Sequence, residues 1–113
     1  MKLRILPSLR ERRRYIKFKV FSEEKISYSD LEQAIRNTCL EFFGEFGISN
    51  FSLNLIRNLW DEKEQIGVLK CNHLSVPHII LSLSLIQRLG DARIRIKVLK
   101  VSGTIASLNI EKA

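Results

Sequence analysis

Arg12-Arg13-Arg14-Tyr15-Ile16-Lys17-Phe18-Lys19-Val20 is a cationic run that becomes a strand without losing its charge. From Tyr15 onward, Ile16, Phe18 and Val20 fall on one face at period two, and Tyr15, Lys17 and Lys19 fall on the other. One face is suited to a core. The other sets positive charge around an aromatic ring, the composition of a surface that meets phosphate and base. A second stretch of the same kind lies near the other end of the chain, where Arg93-Ile94-Arg95-Ile96-Lys97-Val98 alternates cation and aliphatic without a break.

Between these two strands the pattern changes period. Ser27-Tyr28-Ser29-Asp30 has the spacing of a capping box, and behind it Leu31, Ile35, Cys39, Phe42 and Phe46 recur at helical spacing. Gly44 weakens the last turn of that helix and Gly47 is a natural stop. Phe51, Leu53 and Leu55 then alternate with Ser52 and Asn54, which predicts a strand running to about Trp60. After the polar turn Asp61-Glu62-Lys63-Glu64-Gln65, the stretch Ile66 to Asn72 reads as the second strand of a hairpin. Ser75 and Pro77 start a second helix whose apolar face, Ile79, Ile80, Leu83, Ile86 and Leu89, runs up to Gly90.

The order strand, helix, strand, strand, helix, strand, with short connections, predicts an α+β sandwich: a four-stranded antiparallel sheet with both helices on one face, the ferredoxin-like plan shared by RNA recognition motifs. In that plan the first and last strands are neighbours. Tyr15, Lys17 and Lys19 then lie beside Arg93, Arg95 and Lys97 on the face away from the helices, as one cationic patch. The expected organisation is a flexible basic arm over residues 1–11, one domain over 12–103, and a tail over 104–113 that adds a short helical turn.

At 113 residues and 45% hydrophobic content the chain has the size and composition of a single globular domain. Nineteen Lys and Arg against twelve Asp and Glu give a formal charge of +7, which points to an anionic partner. The longest apolar stretch, Val76 to Leu89, is interrupted by Pro77, His78, Ser82, Ser84, Gln87 and Arg88, so no membrane span is expected, and the first residues have no signal-peptide pattern. Cys39 and Cys71 read as buried thiols of a reducing, cytoplasmic compartment.

Solubility alone would intersperse charges of both signs, whereas the six outward positions of the two strands hold five cations, one aromatic and no acid. Arg10, Arg12, Arg13 and Arg14 extend this set, so the expected nucleic-acid contacts are these four with Tyr15, Lys17, Lys19, Arg93, Arg95 and Lys97. The third strand, Ile66 to Asn72, contains none of the aromatics that stack bases in an RNA recognition motif, which favours phosphate contact with folded RNA over base reading. Cys71, His73 and His78 match no common zinc spacing, and no phosphate loop, paired-carboxylate motif or nucleophile elbow is present, so neither a catalytic nor a metal site is expected. Ile56 and Trp60 have the parity of the open face or its rim, where they either meet a partner protein or pack under the tail. The second helix carries Arg88 as its one charge between residues 76 and 89, which adds Val76 and Ile80 to the candidate partner surface.

Several segments together resemble the archaeal ribonuclease P protein component 2 family, related to a eukaryotic subunit of ribonuclease P and its sister ribonucleoprotein. They are Leu9 to Ile16, Cys71-Asn72-His73, Ser82 to Ile86, and Val101-Ser102-Gly103-Thr104-Ile105. The resemblance implies a ferredoxin-like fold and a role in removing 5′ leaders from precursor tRNA within an endoribonuclease whose RNA subunit, using Mg2+, does the catalysis. It implies as partners the ribonuclease P RNA, precursor tRNA, the barrel-fold protein component 3 and other subunits, with a homodimer inside a heterotetramer as one arrangement. The tail, where Ala106 to Ile110 intervenes and Glu111 balances Lys112, is less basic than the family leads one to expect. The alternative is a scaffold subunit that meets RNA only through a partner.

Overall fold

The computed structural model describes residues 12–108. The cationic run forms β1 (Arg13–Ser22), and both of its neighbours in the sheet are antiparallel to it. Ile16, Phe18 and Val20 are buried, as their alternation requires. α1 (Tyr28–Phe51) starts at Ser27, whose hydroxyl accepts the Asp30 N–H at 3.3 Å, and Asp30 places negative charge in the first turn.

α1 is longer than the sequence suggests, and its core stripe departs from the expected one. Leu31, Ile35 and Cys39 are buried, but the ring that continues their four-residue step is Phe43, which meets Phe51 and His78 edge-on with centroids 5.3 Å away in each case. Phe42 and Phe46, expected in the core, are 53% and 82% exposed. Gly44, at φ 73° and ψ 175°, breaks the helical path, and the chain resumes helical geometry through Gly47 to Phe51 before Ser52 ends it in the left-handed region. The predicted strand from Phe51 to Trp60 therefore shrinks to β2 (Asn54–Leu55), followed by a 3₁₀ turn at Arg57–Leu59.

β3 (Ile66–Asn72) lies where the alternation put it. α2 (Val76–Leu85) stops short of the predicted Leu89, because the chain turns extended at Ile86 and enters β4 (Arg88–Leu89). Gly90, with φ 64°, helps turn β4 back into β5 (Ala92–Ser102). Among the described residues the sheet thus has five strands, not four, in the order β2-β3-β1-β5-β4. The extra strand is an edge added by the hairpin, and β1 and β5 are neighbours as expected.

Both helices contribute to one core with Ile16, Phe18, Leu55, Leu69, Ile94 and Ile96. Gln65 ties two loops to it: its side chain accepts the Ile26 N–H at 2.9 Å and donates to the carbonyls of Ile26 and Glu62. Trp60 belongs to this side of the sheet, contrary to its parity, with its ring stacked on Phe18 at 6.5 Å. Gly67 makes room for it. A Cβ there would sit 2.8 Å from Trp60 and 2.9 Å from Phe18. In an ordinary strand Gly to Ala is stabilising, but Gly67→Ala is expected to lower the urea unfolding midpoint, by the equivalent of about 1–3 kcal/mol of overpacking. An unchanged or raised midpoint would show that Trp60 yields freely.

Candidate nucleic-acid interface

No Asp or Glu stands in any of the five strands, whereas Lys and Arg recur along β1, β3, β4 and β5. The described acids lie in helices, turns and loops, where Glu32 pairs with Arg36 at 3.2 Å and Asp61 caps its turn by accepting the N–H groups of Lys63 and Glu64. None of Lys19, Lys70, Arg93, Arg95, Lys97 or Lys100 forms an ion pair with a described acid.

The register decides which of these cations meet. Lys19 stands directly opposite Lys97, Lys17 opposite Lys100, and Arg88 opposite Arg93. The expected alignment of Tyr15, Lys17 and Lys19 with Arg93, Arg95 and Lys97 is therefore displaced along the strands: Arg95 faces Phe21, and Arg93 lies beyond the end of β1 beside β4. A bulge between Lys17 and Phe18 reverses the parity of β5, which brings Lys100 onto the same face as Lys97. Each directly opposed like-charge pair costs a few tenths of a kcal/mol, by the measure of about 0.2–1 kcal/mol for cross-strand pairs. Two of these pairs on one face, Lys19–Lys97 and Arg88–Arg93, suit a surface whose counter-charge arrives from outside.

Phe21 and the tail modify this face. The Phe21 ring, 40% exposed, has Lys19 Nζ 5.5 Å and the Arg95 guanidinium 5.2 Å from its centroid, so an aromatic lies within the charge. Near Lys17 the segment after β5 folds back in a 3₁₀ turn at Ala106–Leu108. Lys17 Nζ donates to Leu108 O at 3.2 Å and Lys100 Nζ to Ser107 O at 2.5 Å, while the Ser107 hydroxyl bonds those of Ser102 and Thr104. Leu108 is 1% exposed and lies outside the helix-side core, as does the equally buried Val68 opposite Lys17 on β3. The part of the tail that is described thus covers the sheet, and Lys17, expected as an open contact, is occupied in holding it.

At the other end of β1, Arg12 and Arg13 line a polar groove of about 380 Å³ with Ser52, Lys70, Cys71 and Asn72. Asn72 fixes its wall: the amide donates to Asn50 O and the carbonyl oxygen accepts from the Ser75 N–H at 2.9 Å and hydroxyl at 2.7 Å. His73 extends the ladder, with its N–H on Arg12 O at 2.7 Å and its Nδ1 accepting the Arg12 N–H at 3.1 Å. His78 packs against Phe43 and Phe51 instead of joining His73 and Cys71. Arg14 carries the parity of Ile16, and its guanidinium returns to Arg13 O at 2.8 Å. Tyr15 faces Lys70 on one side and Ser102 on the other. Arg10 lies outside the described residues.

A family model described as Rpp14/Pop5 matches residues 14–112. The chain belongs to the Rpp14/Pop5 family. It is 40% identical over 102 residues to ribonuclease P protein component 2 of Pyrococcus furiosus, covering 90% of this chain and 83% of that protein. The same component of Methanothermobacter thermautotrophicus is 36% identical over 106 residues, covering 89% of this chain and 85% of the relative. A chain in a cryo-EM structure of yeast ribonuclease MRP shares the fold, with a TM-score of 0.64, 17% identity, and coverage of 90% of this chain and 79% of that one.

The residues expected to meet a partner protein are mostly absorbed by this Rpp14/Pop5 fold. Trp60, Val76 and Ile80 pack against the core, and Ile56 is half-buried beside β3 with its N–H on Val68 O at 3.0 Å. The exposed apolar side chains of the helical layer are others: Leu40, Phe42 and Phe46 of α1, Leu74, and Leu81 and Leu85 of α2. The sequence signal was the near absence of charge in the second helix. Cys39 and Cys71 are free and buried. Burial pushes the Cys39 thiol up, and burial with Cys39 nearby pushes Cys71 up to about 11, so both are neutral thiols near pH 7.

Proposed function

We infer that the chain is a protein subunit of ribonuclease P, acting in removal of the 5′ leader from precursor tRNA, and that its sheet face meets the RNA backbone. Its family membership and its likeness to archaeal component 2 proteins support the subunit role. The observation that carries the RNA-facing assignment is the directly opposed cations Lys19–Lys97 and Arg88–Arg93, with Arg95 between them along β5, on strands without an acid. Lys19, Arg93, Arg95 and Lys97 form the main contact, with Arg12, Arg13 and Lys70 as a second patch at the polar groove.

In this reading the architecture is the ferredoxin-like plan with one added edge strand. Catalysis belongs to the RNA subunit and the Mg2+ it uses. This chain lowers the repulsion between phosphate strands that the RNA fold must bring together. The exposed apolar residues of the helical layer meet protein subunits, among them the barrel-fold component 3, and a homodimer within a heterotetramer is one arrangement that would cover them. No described helix is long and apolar enough to cross a membrane, and the assigned compartment is the cytoplasm.

The test is co-purification from an archaeal cell expressing the tagged chain. Ribonuclease P RNA and a barrel-fold protein are expected in the eluate. A chain recovered with neither, from cells that contain both, contradicts the assignment. The scaffold alternative is separated by the isolated chain, which would then bind RNA with little dependence on salt.

A further inference from the structure

Past Arg93 the outer edge of β5 has no described strand beside it. β4 pairs only Arg88 with Arg93 and Leu89 with Ala92, and the bond that follows is Ile94 N–H to Gln87 O at 3.0 Å. In a strand the N–H and C=O of one residue point to the same edge, and the direction repeats at every second residue. Ile94 points away from β1, so Ile96 and Val98 do the same up to the bulge. Beside that edge runs a groove of about 400 Å³ lined by Ile80 and Ser84 of α2 and by Arg95, Ile96, Lys97 and Val98 of β5.

We propose that this edge binds an extended segment of a partner protein in which acidic and aliphatic residues alternate, added to the sheet as a further strand. The main-chain groups of Ile96 and Val98 supply hydrogen bonds that depend on no side chain, and the groove takes alternate side chains of the guest. Those side chains meet Ile80 and Ile96 and are aliphatic. The residues between them lie on the other face beside Arg95 and Lys97, where a carboxylate stands across from a cation. A second copy of this chain fits worse, because pairing β5 with β5 opposes the same cations once more. Lysine on an edge discourages indiscriminate pairing, and here it turns away cationic guests while admitting acidic ones. The inference concerns the strand edge and α2 and does not rest on the RNA reading, although Arg95 and Lys97 border both surfaces.

The test is amide hydrogen exchange on the full, isotope-labelled chain titrated with a synthetic peptide of alternating Glu and Val. At about ten times its Kd the peptide is expected to slow exchange at Ile96 and Val98 about elevenfold, the factor that linkage gives for one site. A matched peptide of alternating Lys and Val gives no slowing. Ser84→Phe, which fills the groove from α2, removes the effect while the β1 amides keep their protection, and Arg95→Glu with Lys97→Glu transfers the preference to the Lys peptide. No slowing, or equal slowing by both peptides, overturns the proposal. So does protection that rises with protein concentration in the absence of peptide, which assigns the edge to a second copy, or slowing produced by a uridine oligomer in place of the peptide.

Discussion

Joint replacement of Lys19, Arg93, Arg95 and Lys97 by Ala is expected to weaken RNA binding by up to about a thousandfold near 0.15 M salt. A phosphate contact on a duplex contributes about 0.9 to the slope of log K against log salt, which at that ionic strength amounts to roughly 0.7 log units of affinity per contact. Four contacts therefore remove about 3.6 from the slope. The substitutions leave out Lys17 and Lys100 because those ammonium groups hold the carbonyls of Leu108 and Ser107, and their loss would disturb the tail as well. Stability should move the other way. Relief of the Lys19–Lys97 and Arg88–Arg93 oppositions leaves the unfolding midpoint unchanged or raises it by a few tenths of a kcal/mol. A variant that unfolds more easily and binds RNA as before would mean that the cations serve the fold.

Phe18→Ala is expected to be the most damaging single core substitution. The side chain is wholly buried at the centre of β1, stacked on Trp60 and set against the notch at Gly67. Truncating a buried Phe costs about 3–5 kcal/mol, of the roughly 5–15 kcal/mol that holds a domain of this size together. The expected fall in Tm is at least about 12 °C. Trp60 fluorescence should report it directly, since the indole loses one of its packed faces. A Tm within a few degrees of the parent would show that Trp60 and the helices collapse into the space.

The strands that were legible in the sequence are those whose two faces differ sharply. β1, β3 and much of β5 could be placed from the alternation of Ile16, Phe18 and Val20 with Tyr15, Lys17 and Lys19, and of Arg93, Arg95 and Lys97 with Ile94 and Ile96. β2 and β4, at two residues each, are too short to show a period, and each was absorbed into a longer neighbouring pattern. The choice between Phe42 and Phe43 was a matter of one residue of helical phase, and Gly44 removed the continuity that would have decided it.

The candidate site was partly legible for related reasons. Its charge could be read from Lys17, Lys19, Arg95 and Lys97, but its register could not. The bulge that places Lys100 opposite Lys17 depends on how β1 and β5 pair, which neither strand encodes alone. Trp60 was assigned to the wrong face because parity counts from a regular strand, and residues 57–59 form a 3₁₀ turn. Leu108 shares the tail with Ile105, Ala106 and Ile110, and no regular spacing marked it as the residue that closes over the sheet.

Reconstituted cleavage of precursor tRNA tests the central claim most directly. An archaeal ribonuclease P RNA with its protein subunits is assayed at low and at high magnesium, once with this chain and once with the Lys19, Arg93, Arg95 and Lys97 alanine variant. The wild-type chain is expected to sustain cleavage at low magnesium, and the variant to fail there and recover as magnesium rises and replaces the missing positive charge. Undiminished low-magnesium cleavage by a folded variant would contradict the assignment of this face to the RNA.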